Sequence, residues 1–410
     1  ELVQAGAIKS VISVMEIHEQ SAELQAMGCS AIDNLMGGQP GEPITAKMPD
    51  QGLAVVFKAL KKHSDDAAVV RRGASAIATI AQQNPPAPQL VGNSDVVDLL
   101  GQAGKYVLSG KQDAQALVQI FRALEALAEY KENHRFIVAD PGAFTLALSL
   151  VQTQSPRPAP VARALAVIAK VCESEDVGKT GGTEVPEADG LTLVTKSLGH
   201  YWNHPSVVIP ACTIMAALAK SSSQAGKSSD GDSWRQAMCG LIKAVKARPA
   251  DVAVAVSACV ALAWTCERKV KPNGVLVGDM MAAFVMVMRA HPRDADVAEA
   301  ACFMFSAVVK AGGDEVRGQV IRSGAPLLVV MVLRHFSEEQ GDVQPVLRRA
   351  VNAIRLVGLE DPATAGAVKL AGAPDALKKI LSRFPESQGL VKATNAALEA
   401  IEKEPAGQNT

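Results

Sequence analysis

The stretch Leu24-Gln25-Ala26-Met27-Gly28-Cys29-Ser30-Ala31-Ile32-Asp33-Asn34-Leu35 contains a step from alanine to a large apolar residue, and this step or its apolar counterpart recurs along the whole chain. Equivalent steps lie 41 to 50 residues apart. A period of this size indicates a solenoid, in which each unit is too small to bury its own apolar face and stacks on its neighbours. Such stacking produces a long surface, which favours binding over catalysis. The equivalent steps are Ala31-Ile32, Ala76-Ile77, Ala123-Leu124, Ala164-Leu165, Ile214-Met215, Ala261-Leu262, Met304-Phe305, Ala353-Ile354 and Ala397-Leu398.

The first unit shows how each repeat is built. We predict a helix from Ala7 to His18, preceded by Gly6, and a longer second helix that ends at Met36 before two glycines. Apolar residues at spacings of three and four define the inward face of each helix. The predicted inward residues are Ile8, Val11, Ile12 and Met15 in the first helix and Leu24, Met27, Ala31, Ile32 and Leu35 in the second.

Some units carry a short leading helix as well. We predict such helices at Asn133 to Ala139, Glu315 to Arg322 and Ala363 to Leu370, each followed by a turn of small residues. Two polar, Gly/Ser-rich stretches without periodicity, 177–190 and 221–233, are predicted to be loops that replace a leading helix. The serines of the second stretch are also candidates for phosphorylation.

A short helix, a glycine turn, a medium helix and a long helix in about 42 to 48 residues resemble the armadillo repeat. The resemblance covers nearly the entire chain, and a HEAT solenoid of paired helices is the alternative. It implies an all-α fold, a right-handed superhelix of about nine armadillo-like units in one continuous array. The expected units are 1–38, 39–84, 85–131, 132–176, 177–221, 222–268, 269–312, 313–360 and 361–404, with a tail at 405–410.

Composition restricts the classes of partner. The chain has 41 basic and 42 acidic residues, a formal net charge of −1, so no bulk charge attracts it to nucleic acid or to an anionic membrane. We find no run of about 18 apolar residues, and therefore expect no membrane span. The chain begins with Glu1 and not with a polar capping unit, so we expect further residues upstream.

Histidine and cysteine fall at repeat positions, which argues against a metal site. His18, His63 and His291 end the second helix of their units, where a ring can meet the helix dipole and free carbonyls. Four of the seven cysteines share one position two residues before the recurrent step, where a small buried residue is needed. We therefore expect reduced thiols, no metal and no cofactor. These cysteines are Cys29, Cys212, Cys259 and Cys302.

Two stretches resemble a phosphate-binding loop without matching it. The segment that ends in Gly226-Lys227-Ser228 has Ser221 at the position where the motif G-x-x-x-x-G-K-[ST] requires its first glycine. The segment that ends in Gly110-Lys111-Gln112 lacks the hydroxyl that would bind Mg²⁺. Neither follows a strand. The sequence therefore offers no nucleotide site.

In armadillo solenoids the third helices line a groove that receives a peptide, and import adaptors hold the peptide backbone with a ladder of asparagines. Here one asparagine, Asn34, stands at the ladder position, and Trp264 occupies the same position in the sixth unit. We expect Trp264 and polar stripes at helical spacing to bind partners. The other stripe residues are Arg122, Glu125, Glu129, Arg348, Asn352, Arg355, Lys392, Asn395 and Glu399.

These observations predict a non-catalytic scaffold or adaptor that binds an extended peptide or a helical segment of other proteins. Three alternatives stay open: a nucleocytoplasmic transport receptor, which the missing ladder disfavours, a regulatory subunit of a cytoplasmic enzyme complex, and an enzyme with a cryptic site. The segments Val14 to His18 and Glu23 to Cys29 resemble armadillo-only proteins of ciliary axonemes. That resemblance implies a cytoplasmic protein, part of a larger assembly in a cilium or flagellum.

Overall fold

The computed structural model describes residues 2–37, 50–82, 90–110, 113–139, 142–153, 157–173, 185–221, 231–268, 270–312, 314–360 and 362–402. These ranges contain 21 α-helices and no strand, so the all-α prediction is confirmed. The helices are α1 (Leu2–Ile17), α2 (Ala22–Gly37), α3 (Asp50–Lys62), α4 (Ala67–Ala81), α5 (Ser94–Ser109), α6 (Ala114–Leu127), α7 (His134–Val138), α8 (Ala143–Gln152), α9 (Pro158–Cys172), α10 (Glu187–Tyr201), α11 (Pro205–Lys220), α12 (Gly231–Ala247), α13 (Val252–Arg268), α14 (Gly274–Ala290), α15 (Ala295–Ala311), α16 (Asp314–Arg322), α17 (Ala325–Phe336), α18 (Gln344–Glu360), α19 (Pro362–Leu370), α20 (Ala373–Arg383) and α21 (Gln388–Glu402).

Most of the helices form two series. We call α1, α3, α5, α8, α10, α12, α14, α17 and α20 the second helices, and α2, α4, α6, α9, α11, α13, α15, α18 and α21 the third helices. The chain divides into two compact units, Glu1–His200 and Tyr201–Thr410. In the first, third helices α2, α4, α6 and α9 pack in succession, and in the second α11, α13, α15, α18 and α21 do so. Each is therefore a stack of helix layers, as a solenoid requires.

The first repeat shows where the predicted helix faces hold and where they fail. Ile8, Ile12 and Met15 are buried, as their spacing predicts. However, α1 begins at Leu2, so Gly6 lies inside the helix and the predicted start is wrong. Met27 is 56% exposed, and its predicted inward orientation is also wrong. It lies on the opposite side of α2 from the residues that pack on α1 and α4.

The three short leading helices are present. The helix α7, which follows a 3₁₀ turn at Lys131–Asn133, and the helices α16 and α19 confirm the predicted positions. Gly324 and Gly372 precede α17 and α20 with φ of 73° and 91°, a conformation that glycine adopts without strain. The helices α10 and α12 begin inside the predicted loops. The rest of both loops, 177–184 and 222–230, and the 405–410 tail lie outside the described residues.

The four cysteines at the shared repeat position are buried, as the repeat alignment predicts. Burial raises the pKa of Cys29, Cys259 and Cys302 to about 12, because the desolvated thiolate is disfavoured. The pKa of Cys212 is raised for the same reason. Cys239, on α12, is exposed.

Side chains at the ends of second helices join neighbouring repeats. His63 Nε2 lies 2.9 Å from the carbonyl oxygen of Glu19, and His291 Nε2 lies 2.9 Å from that of Pro249. A carbonyl can only accept, so Nε2 carries the proton in each ring. Arg383 makes the corresponding contact by donating to three carbonyls of the turn that follows α17. These three side chains therefore bond the preceding repeat.

No helix within the described ranges has the length and apolarity needed to cross a bilayer.

Candidate functional site

In the first compact unit, the acidic residues of the predicted stripe are engaged in contacts between repeats. Glu125 Oε2 on α6 accepts a hydrogen bond of 2.7 Å from Arg163 Nη1 on α9. Glu129 on α6 pairs with Lys170 in the same way. Arg122 lies half-buried on the same helix. The stripe therefore helps to hold α6 against α9.

Three further predicted residues lie on exposed surfaces of third helices. Asn34 is exposed on α2, and Lys392 and Asn395 are exposed on α21 together with Glu399. The structure does not bring this α21 group together with the Trp264 cluster described below. Their exposure is compatible with binding or with a solvated face.

The predicted stripe on α18 lies beside a surface pocket. Arg355 Nη2 donates to Asn352 Oδ1 at 2.9 Å, which fixes the amide orientation. Arg348 and Asn352 line a pocket of about 590 Å³ together with Asp342 and Arg349. This pocket has opposite charges on its rim.

Trp264 lies half-buried on one face of α13. The helix begins at Val252, and the carboxylate of Asp251 caps it by accepting a hydrogen bond of 3.1 Å from the backbone N–H of Val254. Val252, Val256, Val260 and Trp264 follow at intervals of four residues and form a continuous apolar face. The indole is therefore the largest member of an apolar wall that remains partly open to solvent.

An alternating cationic and aromatic contact chain extends from Trp264 across four consecutive third helices. Lys220 Nζ of α11 lies 5.2 Å from the Trp264 ring, and the ring packs edge-to-face on Phe303 of α15 at 5.4 Å. The guanidinium of Arg349, on α18, lies 4.0 Å from the Phe303 ring. Its Nε is 3.8 Å from Glu299 Oε1. Each cation–π contact contributes about 0.5–1 kcal/mol at such partly exposed positions, so the chain orders the side chains around the indole.

The Trp264 groove is the space of about 500 Å³ between α13 and α15. The apolar face of α13 forms one wall, and Asp296, Glu299 and Phe303 of α15 form the other. Arg349 of α18 lines both this groove and the pocket of α18, so the two spaces adjoin. An apolar wall beside carboxylates and a guanidinium suits a peptide that presents an apolar side chain flanked by polar groups.

The repeat period identifies Trp264 as a candidate residue, but it does not single out its partners Phe303, Glu299 and Arg349. Phe303, which is buried, lies one helical turn before Ala307, the residue at the ladder position of its unit. The predicted stripe on α18 includes Arg348. The next residue, Arg349, points toward the Trp264 groove, because successive side chains of an α-helix are rotated by about 100° around the helix axis.

Within the described residues, no group of three His, Cys, Asp or Glu side chains could hold a metal ion.

Comparison with known proteins gives no sequence family but gives a fold. No protein-family model matches the chain, and no curated protein matches it. Two designed armadillo repeat proteins, one in complex with the peptide (KR)4, have TM-scores of 0.39 and identities of 17% and 18%. They cover 75% of this chain and 99% and 100% of their own.

A solved structure concerning the phosphorylation-controlled interaction between cadherin and beta-catenin has a TM-score of 0.63 over 97% of this chain and 78% of that chain. The fold is an armadillo-type solenoid. The sequences are 15% identical, so the likeness concerns the fold alone. The Trp264 groove accordingly lies on the third helices of an armadillo-type array.

Proposed function

We propose that this armadillo-type chain is a non-catalytic protein-binding scaffold. Its ligand is a peptide or short helical segment of a partner protein, bound in the Trp264 groove. The observation that carries the proposal is the half-buried indole beside an open apolar wall, with Glu299 and Arg349 placed to bond the ligand's polar groups. Tryptophan and arginine are the residue types most often found as energetic anchors of interfaces.

Most of the favourable free energy of binding comes from apolar surface of the ligand that is removed from water. Burying an apolar side chain against the α13 wall contributes about 25 cal/mol per Å². The arginine and the carboxylates select orientation more than they add affinity. A tight ligand therefore needs a large apolar or aromatic side chain for the groove.

The test compares partner recovery by the full chain and by two groove variants. We expect Val252→Glu, which places a charge on the 39% exposed rim, and Trp264→Ala each to reduce recovery of partner proteins from the source cells at least about tenfold. Lys9→Glu, an exposed charge reversal on α1, is the control. Circular dichroism checks that the variants are folded. Equal recovery by a folded Val252→Glu variant would refute the groove as the binding site.

The cellular setting is a finer proposal that rests on the repeat resemblance in the first unit. We assign the protein to the cytoplasm and to a larger assembly of a ciliary or flagellar axoneme. A tagged chain that stays with detergent-extracted axonemes would support this assignment, and one that is washed out with soluble proteins would contradict it.

A transport receptor is the competing function. It would take a basic signal peptide along third helices, and the ladder positions here carry mostly apolar residues. Failure of the full chain to import a cargo with a basic signal peptide in permeabilised cells would leave the scaffold as the better account.

A further inference from the structure

A second surface lies on second helices α14 and α17, away from the Trp264 groove. Its apolar members point to solvent: Met286 is 38% exposed, Leu327 46% and Met331 60%. Single exposed apolar residues are ordinary. These three lie on two adjacent helices, however, so they form a patch. Patches of this kind usually mark interaction sites.

The patch follows the repeat register. Ala282 and Leu327, Met286 and Met331, and Arg289 and Arg334 are pairs at the same interval of 45 residues. Matching burial supports the alignment, since Val287 and Met288 are buried on α14 as Val332 and Leu333 are on α17. The two helices pack against each other, which places each pair side by side. We call these six paired residues the outer patch.

Cations form one edge of the outer patch. Arg289 and Arg334 are exposed at its edge, and Lys378 on α20 is exposed at the next repeat position. Helix α20 packs against α17, so the row of cations continues across it. None of the three forms an ion pair with a described residue. Arg334 adds to the effect of Lys379 in lowering the pKa of Glu338, so the charges of Arg289 and Lys378 are the least engaged within the protein.

Other basic side chains of this side are used differently. Lys246 pairs with Asp279 at 2.5 Å, and Lys379 pairs with Glu338 at 2.8 Å, each across two repeats. The contrast indicates that the packing of the repeats does not require the unpaired cations. The carboxylates of Asp279 and Glu338 also lie close to the patch, which limits the kinds of anionic partner.

We propose that the outer patch binds an amphipathic helix of a partner protein, with its apolar stripe on the two methionines and Leu327 and with carboxylates along one edge. Methionine side chains adapt to varied apolar shapes. The row of Arg289, Arg334 and Lys378 is complementary to acidic residues on that edge. A flat anionic bilayer is less suited, because Asp375 and Glu338 on the same side would face it. This surface is separate from the groove and does not depend on it.

The experiment selects ligands for the full chain from a phage-displayed library of helical peptides. We expect enriched peptides with a leucine-rich face and Asp or Glu along one edge. A synthesised member should lose at least about tenfold in affinity for the Arg289→Glu/Arg334→Glu variant. It should lose affinity as well for the Met286→Ser/Met331→Ser variant. All four changes are at exposed positions, and circular dichroism verifies the fold.

Two controls assign the effect to the patch. Lys61→Glu reverses the exposed lysine at the equivalent position of α3 and should leave peptide affinity unchanged. Trp264→Ala should also leave it unchanged, which separates this surface from the groove.

Several outcomes would overturn the proposal. These are an unenriched library, enriched peptides without acidic residues, or binding that survives both double variants. Arginine-dependent sedimentation with phosphatidylserine vesicles would show a membrane ligand instead. Self-association that the arginine variant abolishes would show that a second copy covers the patch.

Discussion

At the scale of single residues, burial governs the chemistry of the cysteines. Cys29, Cys259 and Cys302 stand at the repeat position that Ala74 and Ala162 occupy in other repeats, and close packing excludes both water and reagent. Their raised pKa keeps them protonated at neutral pH, and the thiolate is the reactive form. Cys239 has no such protection. Identical side chains therefore differ in reactivity through their position in the repeat.

This difference predicts one fast-reacting thiol in the native chain. With iodoacetamide at about pH 8, we expect alkylation at Cys239 well before the buried cysteines react, as mapped by mass spectrometry. Unfolding in guanidinium should expose all seven. Cys239→Ser is the control and should remove the fast phase. Fast native alkylation of Cys259 or Cys302 would contradict the described packing.

The residue scale also shows what the sequence could not provide. Trp264 was identifiable because one large aromatic stands at a repeat position otherwise held mostly by smaller residues. Arg349 was not, since its choice over Arg348 depends on the rotation of α18 against α15. Likewise, Glu125 and Glu129 looked like a binding stripe, and only the position of α9 shows that they pair with it.

At the scale of helices, buried polar side chains connect elements that lie far apart in sequence. Asn133 is fully buried, and its Nδ2 donates to the carbonyls of Leu90 at 2.9 Å and Leu127 at 3.0 Å. Its Oδ1 accepts from Gly92 N–H at 2.8 Å. One amide thus joins the turn before α5 to the end of α6.

Removal of this amide should be costly. We expect Asn133→Ala to lower the free energy of unfolding by about 3 kcal/mol, since the buried carbonyls of Leu90 and Leu127 and the N–H of Gly92 each lose a partner. Urea unfolding followed by circular dichroism measures the change. Asn395→Ala, at an exposed site, should stay within about 0.5 kcal/mol of wild type. Similar losses for both variants would show that Asn133 has no special role.

Apolar periodicity was enough to predict that the helices exist, but not to predict the residues at which they begin and end. The start of α1 at Leu2 ignores Gly6, because a single glycine costs about 1 kcal/mol in a helix and packing readily outweighs it. The start of α10 at Glu187 likewise lies inside a segment that composition assigns to a loop. End positions depend on tertiary contacts that no local pattern contains.

At the scale of the whole molecule, each of the two compact units is held together mainly by contacts between neighbouring repeats. In an array of this kind, stability is close to a sum of local terms, and damage stays near its origin. We expect Asn133→Ala to raise amide hydrogen exchange in α5 to α9 while leaving α13 to α21 unchanged. Mass spectrometry of peptide fragments measures both regions. A uniform rise over the chain would indicate a single cooperative structure.

The joints between repeats have a direction. The ring of His63 bonds back to Glu19, that of His291 bonds back to Pro249, and Arg383 reaches the turn before it. In each case the later repeat brings the donor and the earlier repeat already holds the acceptor. A ribosome releases the chain from its N-terminal end. The repeats that carry His63, His291 and Arg383 therefore find their docking carbonyls in place when they emerge, and each can be added to a finished edge.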